Sequence, residues 1–246
     1  MKRLARFLSA VAVVVTALSG VVPGASLWTA RAAAQAPDLA QLESAVTAAP
    51  DSLKAADDYR KAIIQTSQYD RAISFFEKLA AAIPQVSNAH LNYGFAYVDK
   101  IPAAGSITQV ILANNALSAF TKSIEAKPTW IGYYTRGNSY LFWPRIFGRT
   151  SLGIADLNEA MKIQAAEAKK SYHARTYVAL GDGYWKLDEF DKAAATWKQG
   201  LALFPDNQAL KDRLARQGDQ LKALMEAAYD PGKRVDTSLQ DLWSNQ

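Results

Sequence analysis

Small, aromatic and aliphatic residues recur along this chain at spacings of three and four, in phased blocks. The clearest block runs Tyr177, Leu180, Gly181, Tyr184, then Ala193, Trp197, Gly200 and Pro205. Such spacing puts each set on one face of a helix. Glycine or alanine on that face lets two backbones approach closely, and the large neighbour fills the gap beside them. A glycine followed three residues later by a tyrosine occurs also at Gly94/Tyr97 and Gly137/Tyr140. A second-helix pattern of small, large and then small or aliphatic residues occurs at Ala72/Phe76/Leu79, Ala116/Phe120/Ser123 and Gly153/Leu157/Ala160 as well as Ala193/Trp197/Gly200. Pro84, Pro128 and Pro205 close units; the third unit lacks its proline and has Ala165 near that place. Repetition of helix pairs at a fixed period predicts a stacked all-α solenoid.

The phasing divides the chain. Residues 52–207 hold about four helical pairs, and Leu42, Ala45 and Pro50 predict a leading half-repeat helix over 35–51. In the first pair Arg60 stands where a small residue is expected, so its second helix carries the pattern. Leu210, Leu214, Leu221, Leu224 and Met225 predict one amphipathic capping helix over 208–229. The tail, 230–246, carries Leu239, Leu242 and Trp243, and either packs back on the solenoid, in its own groove, or is partly ordered; the groove is either open to a partner or partly covered by the chain's own first helix or tail.

At these repeated positions the chain resembles the tetratricopeptide repeat (TPR) family. The resemblance covers residues 52–207 and implies a right-handed superhelix of antiparallel helix pairs that binds a protein or peptide partner in its concave face. The positions that line the groove in that family fall here on Leu91 and Phe95 in the second unit, Tyr134 and Asn138 in the third, and Arg175, Asp182 and Trp185 in the fourth. They imply a groove for an apolar segment with a few polar anchors. A subset of the family grips a C-terminal carboxylate with lysine and asparagine; Asp57 and Lys61 stand at those places in the first unit, so that pattern is missing.

Two turns within the repeats are lengthened, near 101–111 and 142–152. Equivalent insertions in neighbouring units emerge on one edge of a solenoid, often the functional one. The second contains Phe142, Trp143, Arg145, Phe147 and Arg149 within eight residues, with Pro144 and Gly148 as turn residues. Aromatics and arginine favour a docking edge for a partner or lipid surface. The alternative is a satellite core in which these rings close over Val110 and Ile111 of the first insertion.

The N-terminus reads as a signal peptide over 1–34. Lys2, Arg3 and Arg6 precede an uncharged apolar run from Phe7 to Val22, and Ala32-Ala33-Ala34 offers a cleavage site. The protein is therefore expected to be exported, to the periplasm or beyond the cell, or else to stay tethered by an uncleaved segment; membrane contact is not expected once the segment is removed. Removal also changes the charge. The chain carries 28 basic and 23 acidic residues, four of the basic ones before Gln35, which leaves 24 against 23. The basic footprint of nucleic-acid binding nearly vanishes. There is no cysteine, which excludes a lipoprotein anchor; about 210 residues can bury a sizeable core without disulfides.

No catalytic residue, metal ligand set or cofactor motif emerges. His90 sits at a packing position of its repeat, His173 at a helix start, and no two histidines share ligand spacing. Gly181-Asp182-Gly183 lies within a helix and lacks the strand of a phosphate loop. The expectation is an exported interaction scaffold or assembly adaptor and not an enzyme. A small-ligand-binding TPR protein associated with transport, or a self-assembling module, is the alternative.

Overall fold

The computed structural model describes residues 37–243; the signal segment expected over 1–34 lies outside them. Among the described residues there are eleven α-helices and no strand. The first, α1 (Leu39–Ala48), is the leading half-unit. Four hairpins follow: α2 (Leu53–Thr66) with α3 (Tyr69–Ala82), α4 (Ser87–Lys100) with α5 (Ser106–Ala126), α6 (Trp130–Tyr140) with α7 (Thr150–Ala165), and α8 (Ala174–Lys186) with α9 (Phe190–Leu203).

Local chemistry starts and stops these helices. Side chains of Asp38, Ser52, Thr129 and Asn207 accept hydrogen bonds from first-turn amides and so satisfy donors that have no partner within the helix. Ser67, in the left-handed region at φ 55°, ends α2 and turns the chain into α3. Arg60 does not break α2. It is buried within it, at 2 % exposure.

The pairs pack as the small and large positions require. A methyl added at Gly181 would lie 2.2 Å from Nε1 of Trp197, and one at Gly94 would lie 2.2 Å from Cε1 of Phe120. These contacts are what bring the two helices of a pair together. The central core joins α4 to α8 through Leu91, Phe95, Phe120, Trp130, Leu157 and Leu180, and it includes Leu239 of the tail. A second core lies under α1–α4, and a third joins α8 and α9 to Leu210. Both histidines are buried: His90 bonds the Pro84 carbonyl, and His173 packs against Trp130 and Tyr172.

The capping segment differs from the expected single helix. It forms α10 (Gln208–Leu214) and α11 (Gly218–Ala228), with Gly218 at φ 50° where the chain changes direction. Glycine takes that backbone conformation without a Cβ clash. The break folds α11 back so that Tyr229 reaches Asp182, 2.8 Å from its carboxylate. From there the tail runs over the inner helices.

Candidate functional site

The inner face of the solenoid is occupied by the chain's own tail. The Arg60 guanidinium donates to the Thr237 hydroxyl at 2.8 Å, to the Thr237 carbonyl at 2.9 Å and to Asp99 at 3.1 Å. The Thr237 hydroxyl in turn donates to the other Asp99 oxygen at 2.6 Å. All three residues are buried. Arg234 donates to the Asp99 carbonyl and to the Tyr69 hydroxyl. Further along, Arg175 grips Asp241 with two bonds of 2.9 Å. Although burial opposes its charge, Tyr134 and Asp241 hold the Arg175 pKa above its ordinary value. Leu239 is 5 % exposed between these two polar anchors.

This arrangement sets the state of each expected groove residue. Leu91, Phe95 and Tyr134 are buried in the same core as Leu239, and Arg60 lies over the Phe95 ring at 4.8 Å. Arg175 is committed to Asp241. Asp182 is fully buried and serves as a structural hub: Arg213 of α10 chelates it, and Tyr229 and Trp197 also donate to it. Asn138 and Trp185 are half-buried, Trp185 beside Met225 and Tyr229. A partner reaches Leu91, Phe95 and Tyr134 only after the tail has moved. The residue that carried the missing information is Arg60, the one departure from the small-residue pattern.

The inserted edge is built differently. The first insertion is a single 3₁₀ turn, Ile101–Ala103, followed by extra turns at the start of α5. The second is a turn with a 3₁₀ segment, Arg145–Phe147, ended by Gly148 at φ 65°. The two are neighbours, as the repeat phase requires: Arg149 donates to Asn114 at 3.0 Å, and both insertions line one pocket. Lys186 of α8 supports the second by donating to the carbonyls of Leu141 and Trp143.

The aromatics there divide between the two expected roles. Trp143 is buried, with the Arg149 guanidinium 3.6 Å from its ring centre, and Phe142 packs on Tyr229. Ile146 and Phe147 remain 90 % and 59 % exposed. Ile107, Val110 and Ile111 on the first insertion and Leu152 at the start of α7 are also exposed. Arg145 pairs with Asp188 at the surface. Six of the eight large hydrophobic residues exposed among the described residues therefore belong to this edge or border it. Beneath it lies an apolar pocket of about 320 Å³.

Among the described residues no group of three histidine, aspartate or glutamate side chains is placed to hold a metal ion, and no helix is long and apolar enough to cross a membrane.

No family model matches the chain. Among solved structures it is similar to TTC0263, a thermophilic TPR protein of Thermus thermophilus. The likeness has 20 % identity and a TM-score of 0.55, and it covers 72 % of this chain and 87 % of that one. It is also similar to MamA protein, at 15 % identity and TM-score 0.46, over 73 % of this chain and 85 % of that one. With the helix pairing above, the first likeness establishes the class: the chain has the TPR solenoid fold, of the kind implied by its repeats. A fold of this kind does not by itself assign a partner.

Proposed function

We propose that this protein is an exported interaction scaffold, an assembly adaptor whose protein partner docks on the inserted edge and not in the concave groove. The observation that carries the reading is the exposed apolar cluster Ile107, Val110, Ile111, Ile146, Phe147 and Leu152 on a surface otherwise rich in charge. Contiguous apolar exposure of this kind marks interaction sites. Each such side chain contributes about 1.5–3 kcal/mol when fully buried, so several together offset the roughly 4–15 kcal/mol cost of association. The groove in this reading is a structural seat for the tail. Export is supported by the charged start, apolar run and alanine triplet at the N-terminus.

A photo-crosslinking residue placed at Ile107 or Ile146, in cells that export the protein, tests the docking edge. A discrete protein adduct is expected from both positions. It should disappear with Phe147→Glu and survive Asp241→Ala, which disturbs only the tail. Equal adducts from Lys198, an exposed residue of α9, would refute the edge. The N-terminal sequence of the exported protein tests cleavage: it should begin at Gln35, and an intact N-terminus would replace cleavage with tethering.

A further inference from the structure

We propose that the pocket beneath the inserted edge binds the aliphatic chain of a single-chain anionic amphiphile. Val110 and Phe147 belong both to this pocket and to the docking edge, whereas Ile107, Ile111 and Ile146 do not line it, so the two readings can be tested apart. The pocket's walls come from the end of α4 with the first insertion, from α5, from the end of α6 with the second insertion, and from the start of the tail. Val98, Ile101, Val110, Leu117, Phe142 and Trp143 are among the apolar side chains that line it. At about 320 Å³ the pocket lies at the lower end of ligand-site volumes, which span roughly 300–1,000 Å³. That size accommodates one aliphatic chain.

The polar groups in the walls decide the chemistry of the occupant. Gln109 spends its amide on the Ile101 carbonyl at 3.2 Å, and Ser139 spends its hydroxyl proton on the Thr135 carbonyl at 2.7 Å. Both donors are directed into the protein. These bonds use one of Gln109's two amide hydrogens and the hydroxyl proton of Ser139, so few donors remain among mostly apolar walls, and desolvating a ligand's polar atoms without partners is costly. Hydrocarbon has no such requirement.

The charge around the pocket decides the other end. No charged residue lies between Lys100 and Lys122, and residues 142–155 carry only Arg145 and Arg149. Arg145 is paired with Asp188, but among the described residues no carboxylate is within ion-pair distance of Arg149, which stacks on the pocket's Trp143. Lys233 of the tail lines the pocket, largely exposed and only loosely paired with Asp230 at 3.9 Å. A chain seated among the apolar walls has Lys233 as the cation in its lining, with Arg149 behind Trp143, so a carboxylate or phosphate head group is favoured over a neutral one.

The test is a titration of the full chain with straight-chain carboxylates from octanoate to dodecanoate and with the matching alcohols, by calorimetry below their micelle concentrations. Affinity should rise about fourfold per added methylene, the equivalent of about 0.8 kcal/mol. Carboxylates should bind tighter than alcohols, and Lys233→Gln should reduce that preference while leaving the chain-length dependence intact. Ala113→Phe, which fills the pocket, should abolish binding. If that variant fails to fold, quenching by a bromine-labelled chain gives an independent reading: it should occur in the parent chain and be lost in Trp143→Phe. Ile146→Asp should leave ligand binding unchanged even though it disrupts a docked partner. Absence of saturable binding, affinity independent of chain length, undiminished binding to folded Ala113→Phe, or quenching unchanged in Trp143→Phe would each overturn the proposal.

Discussion

Replacing Thr237 by valine asks whether the tail holds the groove in solution. Valine keeps the branched shape of threonine and removes only the hydroxyl. That hydroxyl accepts from Arg60 at 2.8 Å and donates to Asp99 at 2.6 Å, so both bonds involve a charged partner. Hydrogen bonds to charged groups contribute about 1.5–3 kcal/mol each. The Arg60–Asp99 bridge at 3.1 Å and the bond from Arg60 to the Thr237 carbonyl survive, so the lower end of the range applies to each lost bond. The expected cost is about 3 kcal/mol, which corresponds to a roughly 100-fold rise in the population of tail-open molecules. Hydrogen-exchange mass spectrometry reads this directly, since amides exchange in proportion to the population of the locally open state. Peptides covering 235–243 should exchange about 100-fold faster, while those from α6 and α7 should not change. Unchanged tail protection would refute the latch. An equal loss of protection across every helix would refute the claim that the tail opens as a separate unit.

Three further outcomes follow from the same geometry. Asp182→Asn leaves Arg213 buried beside a neutral amide, which should cost about 3–5 kcal/mol and lower Tm by roughly 6–20 °C for a chain of this size; a double variant, Asp182→Leu with Arg213→Met, should recover part of the loss in urea titrations. Gly181→Ala drives a methyl to within 2.2 Å of the Trp197 indole, so a loss of about 1–3 kcal/mol is expected, with altered tryptophan emission. Burial depresses the pKa of His173, so the unfolded chain takes up that proton first; stability should decline as pH falls below about 6.5, and His173→Gln should flatten that slope in urea midpoints measured between neutral and mildly acidic pH.

Much of the solenoid is legible because its packing is local and repeated. A glycine opposite an aromatic needs no distant information: Gly94 meets Phe120 and Gly181 meets Trp197 within their own hairpins. The same phase counting locates both insertions and predicts that they are neighbours. The division of the capping segment was not legible. Leu210 to Met225 keeps helical spacing through the break, and only Gly218 marks where the backbone turns. The apolar residues of the tail allow it to pack back into its own groove, but its contacts there were not legible, since Thr237 meets Asp99 across 138 residues and no periodicity connects them.

The site residues divide for the same physical reason. A positional rule places Arg175 and Asp182 on inner helices, and they are there; it carries no information about what covers them. Asp182 is sealed by Arg213 and Tyr229, and Arg175 by Asp241, all of them from beyond the last repeat. Arg60 is the clue within the repeats. A guanidinium in the place of a small residue cannot be left buried without acceptors, and α2 itself offers only Asp57, at 3.7 Å. Its strong partners are Asp99 on α4 and Thr237 in the tail, so the departure at Arg60 marks where a third segment must arrive. The inserted edge has no such unmet polar demand. Apart from Arg145, which pairs with Asp188, its exposed large side chains are apolar, and no segment among the described residues covers Ile107 or Ile146. The groove is thus complete within one chain, whereas the edge still exposes apolar surface that a partner can bury.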